Sequence, residues 1–559
     1  MFSSRIRRAA AFLAAPLTRA YWLRGGFACS YAAARIALAF IYLYIAYGRR
    51  HIDVGAFLST RNPSAYRPLG LWMLWGDTPP PVEVFQACHL LLLICPILLL
   101  IGFASRMSMV GSIVGLYAAA VMDYGWEIEW SHGYSPVLVS SLPMLFGPAH
   151  LFGIDGWIRR WRGHVWSLSD DRRASMAVLG VQFSIAMVFF NAAFWKFYAV
   201  GEYASGFVPW AFSDNLRNVL LRQHVALDEP MSPLFRFIVS HRFAYVGMAL
   251  CNLIAQMTPF FAVWLVSRPW LRLMCGMMLA LEVVGLGIVM GIANWQWLVF
   301  LAVFVDWDRL VFRPRARGDA EQRLPFTLRE RGPLIAVLIV LGFQIYVSFM
   351  HDISQRWTFP FTSYPMFSLV ASDKPYDAHL PFYLPAARYE IESDHPHPER
   401  LLARIWRPYW GMTWIEDFEP FGNQIVKVAS SAVPARSLRE VRAYAIMLRF
   451  PSYPETEPKQ TLKLLKYRWQ EGRSQTVGCA LKFDEGRKQP YLELHPAGFR
   501  DPDLAFRWFD REGNGPYPVH GERVGRRLYF RHPGEPFVVA AEVKDGDEPA
   551  HMFAGILVR

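Results

Sequence analysis

The sequence predicts a polytopic α-helical membrane protein of eight or nine spans that carries a C-terminal, β-rich extracytoplasmic domain. Three observations point there. The 559 residues are 53% hydrophobic and only 19% charged, against about 25% charged in an average globular chain, and the mean hydropathy is +0.17. Long apolar runs fill the first part of the chain, up to about residue 350, and almost vanish afterwards. Arginines gather in alternate loops between those runs. This composition excludes disorder, collagen-like repeats and a disulfide scaffold, since six cysteines are too few and too scattered. The net charge of +12 is accounted for by arginines flanking apolar runs, so no nucleic-acid partner is expected.

The first segment, residues 1–26, intersperses Arg5, Arg7, Arg8, Arg19 and Arg24 with apolar residues and reads as an amphipathic helix at the interface. A cleaved signal peptide built on the short AFLAAP run is the alternative. About 20 apolar residues suffice to cross the hydrocarbon core as a helix. Windows that qualify lie near 28–47, 83–104, 107–122, 134–151, 174–198, 243–266, 270–290, 292–305 and 333–350. The eighth is short and reads either as a span or as half of a re-entrant pair with the seventh. A helical membrane domain therefore covers 27–310, followed by a basic loop and the last span over 311–350. With the N-terminus placed in the cytoplasm, twenty arginines fall on the cytoplasmic side and eight on the outer side. By the positive-inside rule this leaves the tail outside.

Trp357, Phe359, Phe361, Tyr364 and Phe367 open the tail with an aromatic cluster suited to the membrane interface. Residues 351–470 read as a mixed α/β region, with helical periodicity over Arg436–Met447. Residues 471–559 read as a β-sandwich-like domain, because TVGCALKF, YLELHP, LAFRWFD, RRLYFRH, PFVVAAEV and MFAGILV are strand-like segments parted by Gly, Pro and Asp turns. Only Cys479 lies in the tail, so no disulfide can form within it. The other five cysteines read as small apolar residues of helices, and no metal site is expected.

The most informative residue is Lys196, the only lysine before Lys374. Arginine stays protonated, whereas a desolvated lysine can give up its proton and act as a base. Lys196 is thus a candidate catalytic base; a terminal lysine that snorkels to the interface is the alternative. His132, in WSHGYSP, is placed at the same outer level. Gln182 precedes Lys196 by close to four helical turns and shares its face. Glu282 sits within an apolar window, where a carboxylate is costly and is usually paired or functional. Asn191, Asn252, Gln256, Asn294 and Gln296 add hydrogen-bonding capacity. One outward-opening polar cavity would house them all; interhelical hydrogen bonding is the plainer alternative for each amide. His89 reads as structural, and His395 with His397, in a proline-flanked turn, as inert. No Walker loop, GxGxxG, HExxH, CxxC or GxSxG motif supports nucleotide, zinc or serine-hydrolase chemistry.

The histidine in SHGYSP, the following FGIDGW, and Gln182 leading through FFNAAFWK to the lone lysine resemble the vitamin K-dependent gamma-carboxylase superfamily, whose bacterial members are HTTM-domain proteins. The resemblance covers about residues 20–310, and YPMFS at 364–368 and the β-rich tail also look like bacterial members. It implies a bacterial inner-membrane protein with a reduced naphthoquinone of vitamin K or menaquinol type as cofactor. Oxygen and carbon dioxide would be co-substrates, and an extracytoplasmic protein or peptide the partner. Lys196 would then be the base that deprotonates the hydroquinone, driving epoxidation and carboxylation of peptide glutamate, with His132 assisting. Gln182, Asn191, Gln256 and Glu282 would line the cofactor site. Two departures stand out. FYAVGEYASG follows the lysine with a different spacing, and Glu282 stands near a family histidine, where it could pair with Lys196 and hold it protonated. A second reading is a non-enzymatic assembly or maturation factor that binds an envelope or secreted protein through its tail. A transporter is disfavoured because no repeated halves are visible.

Overall fold

A computed structural model describes residues 10–59, 66, 68–76, 78–125, 133–148, 150–197, 207–227, 232–290, 294–311, 327–350, 357–361, 383–394, 419–432, 438–449, 459–500, 502–509, 517–518, 521–530, 537–545 and 552–558. The chain divides into two compact units. Met1–Leu58, Pro63–Leu216 and Phe243–Val370 make the first, and Ser59–Asn62, Arg217–Arg242 and Ala371–Arg559 make the second.

Seven described helices are long and apolar enough to cross a membrane, which makes this a multi-pass membrane protein. They are α1 Ala28–Arg49, α2 Val82–Ile101, α3 Ser105–Tyr124, α4 Leu168–Phe197, α5 Arg242–Phe261, α6 Pro269–Met290 and α7 Leu328–Ser348. The two remaining apolar windows form only short elements, Ser135–Phe146 and Trp295–Phe304. Helices of that size reach roughly 18 Å at 1.5 Å per residue, short of a hydrocarbon core of about 30 Å. Pro143 opens a 3-10 turn that interrupts the first of them, and a 3-10 run over Trp295–Phe300 replaces α-helix in the second.

Small residues set how closely the helices pack, since lipid supplies no hydrophobic drive between them. A Cβ on Gly115 of α3 would fall 2.6 Å from the Leu92 backbone nitrogen of α2, so only glycine allows this approach. Helix α4 is the most enclosed of the seven, with 83% of its apolar window buried. Helix ends are tied by polar groups from far along the chain. Asp308 accepts from Cys29 N at 2.9 Å and Ser30 N at 3.0 Å, satisfying orphan donors at the start of α1. Asp155 does the same for α3, accepting from Ala104 N at 2.8 Å and Ser105 N at 2.7 Å. FGIDGW is thus a joint: Arg35 grips the Leu151 and Phe152 carbonyls at 2.8 Å each, and Gly153 lies against Gly102. Cys29, Cys88, Cys95, Cys251 and Cys275 are free thiols on α1, α2, α5 and α6.

The second unit contains the β-rich region. Strands β1 Tyr383–Ser393, β2 Leu438–Arg449, β3 Lys459–Gln470, β4 Arg473–Asp484, β5 Gln489–Ala497, β8 Gly521–Val524 and β9 Arg527–Phe530 form an antiparallel sheet ordered β1-β2-β3-β4-β5-β9-β8. Strands β6 Pro502–Phe509, β7 Tyr517–Pro518, β10 Phe537–Asp545 and β11 Met552–Val558 form a second, ordered β11-β10-β6-β7. Val477, Leu492, Leu494, Leu528 and Phe530 of the first sheet share one core with Leu504, Val543 and Met552 of the second. All six strand-like segments of the tail are strands. The helix expected over Arg436–Met447 is instead β2, paired on both edges. Its buried residues do not alternate, since Val441, Ala443 and Tyr444 are all buried, and the unbroken apolar run Ala443–Leu448 mimics a helical stripe. The helix of this region is α8, Glu419–Ala432, seated where Gly422 meets the Tyr467 ring and Asn423 accepts from Tyr467 Oη at 3.0 Å.

The other face of β2 carries a charge ladder. Glu440 accepts from Arg468 Nε at 2.7 Å and from Arg442. Burial pushes the Glu440 carboxyl up, but the two guanidiniums outweigh it and hold the group below the usual carboxylate range. A carboxylate with a depressed folded pKa stabilises the fold above its unfolded pKa of about 4.3, and that stability is lost as pH falls through the folded value. Glu440→Gln should therefore lower the melting temperature of the β-rich region at pH 7, and the difference should shrink below about pH 4. Thermal unfolding of the full chain at both pH values checks this; a pH-independent penalty would contradict it.

Candidate functional site

Helices α4, α5 and α6 bring four polar side chains together in an otherwise apolar bundle. Lys196 lies in the last turn of α4 and is only 2% exposed; Glu282, on α6, is 5% exposed. Between them stand Asn252 and Gln256, four residues apart on one face of α5. Lys196 Nζ donates to Asn252 Oδ1 at 2.9 Å and to Gln256 Oε1 at 2.8 Å. The amide nitrogens complete the path: Asn252 Nδ2 donates to Glu282 Oε1 at 2.6 Å and Gln256 Nε2 donates to the same oxygen at 2.7 Å. The lysine and the carboxylate do not touch. Two parallel amides connect them, oxygens toward the amine and nitrogens toward the acid, and turning either amide over would break two bonds.

The third direction from Nζ is filled by an indole. Trp210, buried in the short helix Phe207–Phe212, holds its ring centroid 4.5 Å from Lys196 Nζ. An ammonium is well matched to two carbonyl oxygens and an aromatic face, and its counter-charge lies one amide away. Glu282 Oε1 takes both amide donors, whereas Oε2 accepts none among the described residues. The arrangement can therefore carry a positive charge at Nζ and offset it at Glu282, the electrostatic requirement for a buried amine that takes up a proton.

Aromatic side chains fill the contact between α4 and α5 on the membrane side of Gln256. Phe260 follows Gln256 by one turn of α5 and stacks on Phe190 of α4 with centroids 4.5 Å apart; Phe194 and Phe349 extend the aromatic wall, 5.2 Å apart.

Of the other expected residues, those that are described do not come to this point. Gln182 shares the face of Lys196 on α4, but fourteen residues at 1.5 Å each separate the two by about 21 Å, and its Nε2 donates to the Val303 carbonyl at 2.7 Å. Asn191 donates to Ser348 Oγ of α7 at 2.6 Å, clasping two helices. Gln296 donates to Asn294 at 3.3 Å. His132 lies outside the described residues, as do Tyr364, Phe367, His395 and His397 and, apart from Phe197, the FYAVGEYASG segment. Beside the SHGYSP segment stands a cluster that sequence reasoning missed. Asp123, at the end of α3, accepts from Arg49 of α1 and from Tyr134 Oη at 3.0 Å. Asp123 alone, an acid closing an apolar window, signals it in the sequence. Trp210 has no such signal.

No protein-family model, curated protein or solved structure matches the chain.

Proposed function

We propose that this protein is a membrane-embedded acid–base enzyme of gamma-carboxylase-like type, in which Lys196 accepts the hydroxyl proton of a reduced naphthoquinone. The observation that carries this reading is the buried relay of Lys196, Asn252, Gln256 and Glu282. Amides alone would suffice to glue helices together. A lysine and a carboxylate, each costly within a membrane and here joined through two oriented amides, are better explained by a proton held and moved. Lys196 is the base. Asn252 and Gln256 are positioning residues that fix Nζ, and Glu282 stabilises the ammonium that forms, as a buried acid does for a catalytic imidazole. The Phe190–Phe260 wall would receive the ring system from the bilayer and keep water from Nζ. With oxygen and carbon dioxide, the reduced quinone would supply the chemistry that epoxidation and glutamate carboxylation require. In this reading the chain lies in a bacterial inner membrane, arginine-rich loops inside and the β-rich region outside, within reach of an extracytoplasmic protein or peptide.

The purified protein in lipid nanodiscs, given a reduced naphthoquinol and oxygen, should form quinone epoxide, and the Lys196→Ala variant should not. Epoxide from neither protein, both being folded, would remove the enzymatic reading. The second reading, an assembly factor for an envelope or secreted protein, would then take its place. It draws on the two-sheet tail, whose edge strand β8 is exposed along all four residues and so offers free backbone groups for pairing.

A further inference from the structure

A second polar site lies in the membrane unit at the end of the bundle away from Lys196. A cavity of 430 Å³ opens between the start of α3, the short helix Ile154–Trp161 and the first turn of α4. Four guanidiniums, those of Arg106, Arg159, Arg162 and Arg173, face it, with His150 beside them. Two carboxylates also line it, but both are occupied. Asp155 spends its oxygens on Ala104 N, Ser105 N and Ser105 Oγ, and Asp170 accepts from Ser167 N at 3.2 Å and Ser167 Oγ at 2.7 Å. Arg173 is directed to the Phe146 and Gly147 carbonyls, and Arg106 to Gly147 at 3.3 Å. Among the described residues, Arg159 and Arg162 make no ion pair and no side-chain hydrogen bond. Four cations against two anions leave a net positive cavity whose two freest groups are planar, multi-donor guanidiniums. Such groups match a phosphate oxygen pair better than any other common anion save a carboxylate.

The rim identifies the source of the phosphate. Ile154, Trp157 and Trp161 recur at i, i+3 and i+7 on the short helix, and Trp157 and Trp161 are 69% and 80% exposed. Asp155, Ile158, Arg159 and Arg162 of the same segment line the cavity. Met107 continues the exposed apolar rim at 70% exposure. An exposed tryptophan pair belongs at headgroup depth, so the arginines behind it meet lipid phosphates rather than bulk solution. We infer that this cavity binds the phosphodiester headgroup of an anionic phospholipid, with Arg159 and Arg162 as its principal donors. It shares no residue with the Lys196 relay and stands or falls independently of it.

The test uses the full-length protein in detergent, titrated with phosphatidylglycerol, phosphatidylcholine or glycerol 3-phosphate and read by native mass spectrometry and melting temperature. Phosphatidylglycerol should bind in preference to phosphatidylcholine and raise the melting temperature. The Arg159→Gln/Arg162→Gln double variant should bind it at least about tenfold more weakly, since each lost charge-assisted bond is worth a factor of that order. Arg160→Gln, on the same helix but not lining the cavity, should behave as the wild type, which separates site loss from general loss of surface charge. Equal retention of both lipids, or equal loss in the double and the Arg160 variants, would overturn the proposal. Stabilisation by glycerol 3-phosphate equal to that by phosphatidylglycerol would overturn the lipid assignment in favour of a soluble phosphate.

Discussion

Replacing Glu282 with leucine should destabilise the helical unit by about 3–5 kcal/mol, and adding Lys196→Met to that variant should restore much of the loss. The expectation rests on what each change leaves behind. Leucine removes the only acceptor, among the described residues, of two amide donors at 2.6 and 2.7 Å, and deprives a lysine that is 2% exposed of its counter-charge. Interhelical hydrogen bonds between neutral groups in membranes are worth only about 1 kcal/mol each, so two of them cannot account for more than roughly 2 kcal/mol. A larger loss identifies the uncompensated buried charge as its main cause. Glu282→Gln discriminates further. It keeps an oxygen for Asn252 and Gln256 while removing the charge, and its cost should persist in the wild-type background and fall when Lys196 is also methionine. Unfolding measured in bicelles for the single and double variants closes the cycle. Additive effects, with no coupling between positions 196 and 282, would show that the two groups merely occupy the same bundle.

The parts of this relay differ in how openly the sequence announces them. Lys196 stands out because arginine supplies every other fixed positive charge in the membrane unit, and Glu282 because it interrupts an apolar window. Asn252 and Gln256 do not stand out: asparagine and glutamine are common helix-to-helix links, and only their spacing of four residues places them on one stripe. That both would face Lys196 on one side and Glu282 on the other depends on how α4, α5 and α6 rotate against one another, which no single helix encodes. Gln182 illustrates the opposite error. Helical periodicity reports the face of a residue and not its depth, and a residue on the correct stripe lies about 21 Å along the axis. Trp210 arrives from a separate short helix and is found only in three dimensions.

The same physics explains the tail. Strands β4, β5, β6 and β9 to β11 are legible because turn residues bound them. Strand β2 is not, because Val441 and Ala443 are buried on one side of the strand and Leu438 and Tyr444 on the other. In the membrane unit, apolar length marks helices well, yet the windows around 134–151 and 292–305 are apolar without being continuous α-helix. Pro143 and a 3-10 turn break the first, and a 3-10 run breaks the second.

The central claim is that Lys196 transfers a proton and does not only hold a charge, and arginine at that position separates the two. Lys196→Arg retains a cation that can reach the amides but cannot release its proton. In nanodiscs supplied with a reduced naphthoquinol and oxygen, epoxide formation by Lys196→Arg should fall at least about 100-fold, the scale of a lost general base, to the level of Lys196→Ala. Epoxide formation by the arginine variant at a rate near that of the wild type would contradict the account and reduce Lys196 to a structural charge.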